Sequence, residues 1–367
     1  MRYGNLTISY NSHYKEFKSP FGAVTPDSNL LFRIRIEGSA NLNVVLVITK
    51  EGNREIYREM TPEGTGYYTT LLTSGEPGLY FYYFRIIIKE ENYDRYIYIG
   101  NNESGLGGEA QIYEDFTYVR SYQVTMHNYV KPSPAWYKDA VFYQIFVDRF
   151  YNGNEDGKIL NPKKNSFLYS SWEDTPLYVR DPQGNILRWD FFGGNLKGVI
   201  KKLDYLKEMG ISGIYLNPIF QARSNHKYDT GDYLRIDEMF GDEKIFGDLI
   251  IEAEKRGIKI ILDGVFNHAG ADSKYFNKFG TYDEVGAYQD RNSKYHDWFI
   301  FHNFPDDYEC WWGVKDLPNL NEYNPEYRKL VCDKDGIIDK WTRFGIGGWR
   351  LDVADEITDD LIKEIRS

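Results

Sequence analysis

The chain has 367 residues, enough for two or three domains and a sizeable core. Its net charge of −11 argues against a nucleic-acid surface or an anionic membrane as partner. With only Cys310 and Cys332 there is no disulfide framework to expect, and reduced cytosolic thiols fit. The N-terminus, Met1 to Thr7, has no apolar h-region, and no stretch reaches membrane-spanning length. A cytoplasmic location is therefore expected. Aromatic residues make up 17%, a load that suits flat contacts with sugar rings, although Tyr-rich β-sheets are the alternative source.

From the start to about Tyr129 the pattern is all-β. Phe32, Ile34 and Ile36 alternate with Arg33 and Arg35, as in a half-buried strand. Val44 to Ile48 is a continuous apolar run closed by the turn signal Glu51-Gly52-Asn53. Tyr67 to Leu72, Leu79 to Ile88 and Arg95 to Ile99 add strands, separated by Gly, Pro and Asn clusters. This spacing predicts a β-sandwich over residues 1–130, with Lys131-Pro132-Ser133-Pro134 as a stiff linker.

After the linker the period changes. Val141 to Val147 is an apolar strand that ends in Asp148-Arg149. A helix follows with Leu196, Val199, Ile200, Leu203, Leu206 and Met209 on one face, stopped by Gly210. Strand Ile214 to Phe220 comes next, then a helix with Ile245, Leu249, Ile250 and Ala253, stopped by Gly257. Strand Ile258 to Leu262 is followed by about sixty irregular residues, 269–324, rich in aromatics and long enough to be a small inserted subdomain. A last helical pattern, with Leu330, Ile337, Ile338, Trp341 and Phe344, leads into a strand from Ile346. Repeated βα units over 131–367 predict a parallel sheet with helices outside.

The chemistry sits where these strands end. They present Asp148 and Arg149, Asn217, Asp263 with Asn267 and His268, and Arg350 with Asp352. The loop after the second strand adds His226, Tyr228 and Asp229. Each alone reads as a structural ion pair, a satisfied core histidine or packing. Together, at the C-terminal ends of parallel strands, they point to a site. Asn152, Asn154 and Asp156 offer oxygen ligands at alternating positions, as Ca2+ prefers, with a metal-free Asn/Gly turn as the alternative.

The set resembles the α-amylase superfamily (glycoside hydrolase family thirteen). Asp263-Gly264-Val265-Phe266-Asn267-His268 and Gly348 to Glu356 resemble two of its signatures. Ile214 to Phe220 resembles its strand-two signature, and Leu317-Pro318-Asn319-Leu320-Asn321 its inserted-domain signature. The resemblance runs from Ala140 to Ser367. It implies a (β/α)8 TIM barrel, of which this chain holds strands one to four, behind a carbohydrate-binding-module-like, early-set Ig-like sandwich. His226-Lys227-Tyr228-Asp229-Thr230 and Glu356 resemble the neopullulanase, cyclomaltodextrinase and maltogenic amylase group, with related amylopullulanases. Leu317 and Asn319 depart from the Met and Lys usual there, which bears on the subgroup rather than the superfamily.

The resemblance implies a retaining enzyme acting on α-glucans, with Asp352 as nucleophile and Arg350 holding that carboxylate ionised. It implies that His268 and Tyr228 bind the sugar at the cleavage point and that Asp263 partners Arg350. Glu356 with Trp311 or Trp312 would line the acceptor side, packing being the alternative for the tryptophans. Gly194 and Asn195 resemble the returning part of a calcium loop, with Asn154 and Asn195 where carboxylates are usual. The family's general acid, a Glu ending the fifth strand, has no counterpart here, so the sequence reads as the front part of a longer, homodimeric enzyme and as inactive by itself. A non-catalytic glucan-binding or scaffold protein on an amylase-like body is the competing reading.

Overall fold

The computed structural model describes residues 1–367 apart from Ser74, 129–132 and Asn185. Lys131 and Pro132 of the expected linker thus lie outside the described residues. The chain divides into two compact units, Met1–Pro132 and Ser133–Ser367.

The first unit is built from two antiparallel sheets. In one, Leu30–Glu37 lies between Leu6–Ser9 and Tyr67–Leu72. In the other, the long strand Gly78–Lys89 lies between Asn41–Lys50 and Asp94–Asn101. Alternation decides which face is inside: Leu30, Phe32, Ile34 and Ile36 are buried while Leu31, Arg33 and Arg35 are not. Both sheets contribute to one core, with Phe32, Ile34, Leu46, Tyr82 and Phe84 at its centre, so the unit is a β-sandwich. Short strands Lys18–Ser19 and Tyr122–Met126 pair onto Leu30–Glu37 and Gly78–Lys89 respectively. Neither pattern stands out in the sequence.

The second unit holds four parallel strands in sequential order: Phe142–Ile145, Gly213–Leu216, Lys259–Gly264 and Gly348–Leu351. Helices fill the crossovers, each started by its own chemistry. Asn195 caps Leu196–Lys201 by accepting from Gly198 N, and Asp242 caps Glu243–Glu254 by accepting from Ile245 N. Asn324 caps Pro325–Cys332, whose proline at the first turn forfeits no hydrogen bond. The single amphipathic helix expected over 196–209 is two, Leu196–Lys201 and Leu203–Glu208, because Lys202 departs from helical geometry between them. The helical pattern from Leu330 to Phe344 is likewise two helices, Pro325–Cys332 and Ile337–Thr342. The second strand ends at Leu216, and Phe220–Ala222 pairs instead with Thr230–Ile236 in a separate hairpin.

Segment 269–324 has little regular structure, yet it makes no core of its own. Tyr275, Phe276, Trp298, Phe299, Tyr308 and Leu320 join the same core as Ile214, Leu216 and Leu262 of the sheet. Among the described residues no helix is long and apolar enough to cross a membrane.

Candidate active site

Asp263 and Arg350 face each other across the third and fourth strands as register partners. Arg350 and Asp352 are two residues apart and so project to the same side. The Arg350 guanidinium donates to Asp263 Oδ1 at 3.1 Å and to Asp352 Oδ1 at 2.5 Å, tying both carboxylates. Burial works against its charge, but the two acids beside it win and raise its pKa. The ladder continues past the strand: Asp352 N donates to Gly264 O at 3.0 Å. The next residue, Val353, adopts φ 42°, a strained conformation for a β-branched side chain.

Two tyrosines complete the cradle around Asp263. Tyr228 OH donates to Asp263 Oδ2 at 3.0 Å, and Tyr215 OH donates to the same oxygen. Burial pushes the Asp263 pKa up to about 6, while the tyrosine and Arg350 donors work the other way and nearby Asp352 adds to the rise. Its surroundings donate only, so they suit the ionised carboxylate. The sequence places Tyr215 in an apolar strand and in the strand-two signature, but gives it no role of its own. The available signal was its place two residues before Asn217, on the same face of that strand.

His268 is buried, with Nδ1 3.2 Å from Asn267 Oδ1 and no hydrogen-bond partner for Nε2 among the described residues. A buried imidazole nitrogen without a partner costs free energy unless a ligand group meets it. The backbone around it is firmly fixed: Tyr233 OH donates to Val265 O and His268 O, and Tyr327 OH donates to Phe266 O. Segment 269–324 closes over the same turn, with Leu320 N donating to Asn267 O at 2.8 Å. Burial pulls the His268 pKa down to about 4, against the opposing pull of Asp352 and Asp229. The unfolded chain therefore binds this proton more readily. The histidine's contribution to stability is full above the ordinary value of 6.5 and is lost as pH falls towards 4. Asp263 runs the other way, its contribution fading as pH rises from 3.8 to about 6. An NMR titration is expected to show the His268 midpoint below 5, near the value of about 4 above. A midpoint near the ordinary 6.5 would mean a solvated ring.

The loop that carries Tyr228 is held from beneath. Lys227, fully buried, donates to Asp237 Oδ2 at 2.9 Å and to Ser224 O at 3.2 Å, and lies over the Phe240 ring. His226 stacks on Tyr228 with ring centroids 6.0 Å apart. A cavity of about 170 Å³ opens beside His226, walled by Trp189, Asp229, Asp272 and Phe279.

Asp148 and Arg149 form a structural brace: Arg149 donates to Asp148 and Asp190, and Asp148 accepts from Phe192 N and Gly193 N. Trp312 is exposed and donates from Nε1 to Glu356 at 2.7 Å, so these two pair with each other. Trp311 packs near His268, with ring centroids 5.7 Å apart.

The five expected calcium ligands do not fit a hard-cation cage. Asn195 Oδ1 accepts from Gly153 N and Gly198 N, while Asn195 Nδ2 donates to Asn152 Oδ1. Asn152 and Asn154 both turn amide N–H groups towards Lys158 O. The sole carboxylate, Asp156, is exposed and accepts from Lys158 N. Gly194 is explained by close approach, since a Cβ there would meet Val147 O at 2.0 Å. Hard cations require several free oxygens, and here the side-chain oxygens of Asn152 and Asn195 accept hydrogen bonds from the chain itself. Chelator is therefore expected to leave the melting temperature unchanged, and a drop restored by calcium would overturn this reading.

With this geometry in place, sequence comparison matches residues 144–365 to the alpha-amylase catalytic domain family. The chain belongs to the α-amylase family. An amylopullulanase from Thermoanaerobacterium saccharolyticum is 37% identical across 98% of this chain and 30% of its own length. The intracellular maltogenic amylase of Bacillus subtilis (strain 168) is 44% identical across 64% of this chain and 36% of its own. Among solved structures, a cyclomaltodextrinase aligns with all of this chain and 58% of its own, with TM-score 0.58 and 27% identity. The α-amylase family chain described here thus spans about a third of these curated relatives' lengths.

Proposed function

We propose that the protein is a retaining glycoside hydrolase or transglycosylase acting on α-1,4-linked glucans such as maltodextrin or cyclomaltodextrin, with α-1,6 links, as in pullulan, a further possibility. The observation that carries this is the pairing of Asp352, held by Arg350, with a neighbouring turn where buried His268 Nε2 lacks a hydrogen-bond partner among the described residues. Asp352 attacks the anomeric carbon and forms a glycosyl ester as the C–O bond to the leaving sugar breaks. The leaving oxygen takes a proton from a general acid, and water then cleaves the ester. His268 bonds sugar hydroxyls and Tyr228 stacks on the ring.

Asp263 is committed to Arg350 and two tyrosines, and Glu356 to Trp312, so neither is assigned as that acid. Residues 1–367 alone are accordingly expected to turn over no maltodextrin. The names of the relatives, amylopullulanase and maltogenic amylase, support the substrate class. The test is to digest maltodextrin, cyclomaltodextrin and pullulan with the active protein and follow the first-formed anomer by NMR. The α-anomer is expected, and a β-anomer would sink the double displacement. Saturable glucan binding with no turnover in any form of the protein would favour a non-catalytic binding module.

Two smaller parts of this reading concern setting. The exposed Tyr57, Tyr96, Phe116 and Tyr118 of the sandwich offer apolar surface for a homodimer, which a monomeric mass at micromolar concentration would exclude. Two free cysteines and a relative named as intracellular support a cytoplasmic location, which cell fractionation tests.

A further inference from the structure

The β-sandwich contains a cavity of about 320 Å³ that the glucan reading does not use. Its size lies at the lower end of the range for small-molecule sites. At its wall is Lys18, a lysine only 4% exposed. Its Nζ reaches a single acceptor, Pro20 O at 3.3 Å, and forms no ion pair among the described residues. An ammonium group carries three donors, so two remain unused. Buried charges are ordinarily paired, because an unpaired one in low dielectric is costly.

The rest of the wall is complementary in one sense only. Asn101 is buried, and its Oδ1 accepts from Gly107 N at 3.2 Å, while its Nδ2 makes no hydrogen bond among the described residues. Ser12 Oγ accepts from Gly108 N and keeps its own proton to donate. No lining residue is acidic, in a chain whose net charge is −11. Phe21 is 56% exposed and lines the same cavity, offering a flat apolar face that a sugar ring can cover.

We propose that this cavity binds a phosphorylated sugar, its phosphate group on Lys18 and Asn101 and its ring against Phe21. Burial alone lowers the Lys18 pKa, and a bound dianion would reverse that shift. The site lies wholly within residues 12–125 and does not depend on the glucan-cleaving reading.

The test is calorimetric titration of the protein with glucose 6-phosphate, inorganic phosphate and maltose. Glucose 6-phosphate is expected to bind saturably at millimolar concentration or tighter, and maltose at least tenfold more weakly. Lys18→Met is expected to weaken glucose 6-phosphate tenfold or more. Asn101→Asp keeps the oxygen that accepts from Gly107 N and adds a negative charge to the cavity wall that Lys18 also lines, so it is expected to abolish binding. Melting temperatures of both variants report whether the sandwich is folded, and Asn101→Asp keeps the test sharp if Lys18→Met is not. Inorganic phosphate binding as tightly as the sugar phosphate would overturn the role of Phe21. Equal binding of maltose and glucose 6-phosphate, or affinity unchanged in Asn101→Asp, would overturn the proposal.

Discussion

In the active protein, Asp352→Asn is expected to lower kcat on the order of 10³-fold or more while leaving the fold intact. The substitution preserves size and the oxygen that accepts from Arg350, and deletes the attacking charge. Covalent catalysis then has no nucleophile, and any residual rate comes from positioning alone. Substrate affinity is expected to change far less than kcat, since His268 and Tyr228 keep their places. One linked effect separates this from misfolding. Asp352 contributes to the raised pKa of Asp263, so the Asp263 titration is expected to move down in the variant. A kcat within tenfold of the parent would remove Asp352 from the nucleophile's role.

The second large effect is on stability. Lys227→Met is expected to cost about 3 kcal/mol or more, because removing one partner of a buried pair strands the other. Asp237 is fully buried, and burial would raise its pKa, but Lys227 and Lys163 more than offset that and hold it below the ordinary carboxylate value. Its contribution is accordingly present above that ordinary value and fades as pH falls through the lowered one. Lys163, which also reaches Asp237 Oδ2 at 2.8 Å, keeps the cost from being larger. Denaturant unfolding of parent and variant measures the difference. A loss under about 1 kcal/mol would put this pair on the level of a surface ion pair. Since Lys227 lies between His226 and Tyr228, kcat/KM is expected to fall with it.

Much of the framework was legible in the chain because burial imposes a period. Leu30–Glu37 alternates along its whole length, and each parallel strand is an apolar run ending in polar residues. The Asp263, Arg350 and Asp352 set was readable for the same reason: three charges at the ends of buried strands call for a use or a partner. Contacts that join distant positions without a period were not readable. Lys227 looks like any loop lysine until Asp237 and Phe240 are folded around it. Tyr215 looks like strand filling until its hydroxyl meets Asp263. The Asn152, Asn154 and Asn195 side chains could have faced a cation or the chain itself, and only the folded loop shows Asn195 donating to Asn152 and Asn154 donating to Lys158 O. Lys18 carries no local mark at all, being set apart by the absence of a counter-ion among the described residues, in a wall built from four separate segments.

The shared core of segment 269–324 bears on how this protein can be re-engineered. Tyr275 stacks on Trp298 at 5.3 Å and lies 5.8 Å from Tyr233, while Trp298 in turn meets Tyr327 at 5.6 Å. Those last two tyrosines hold the turn that carries His268. The segment is therefore not a detachable cassette. A chimera that imports it from a relative must bring Tyr233, Phe266 and Tyr327 along as one block, or the graft will disturb His268 without touching it.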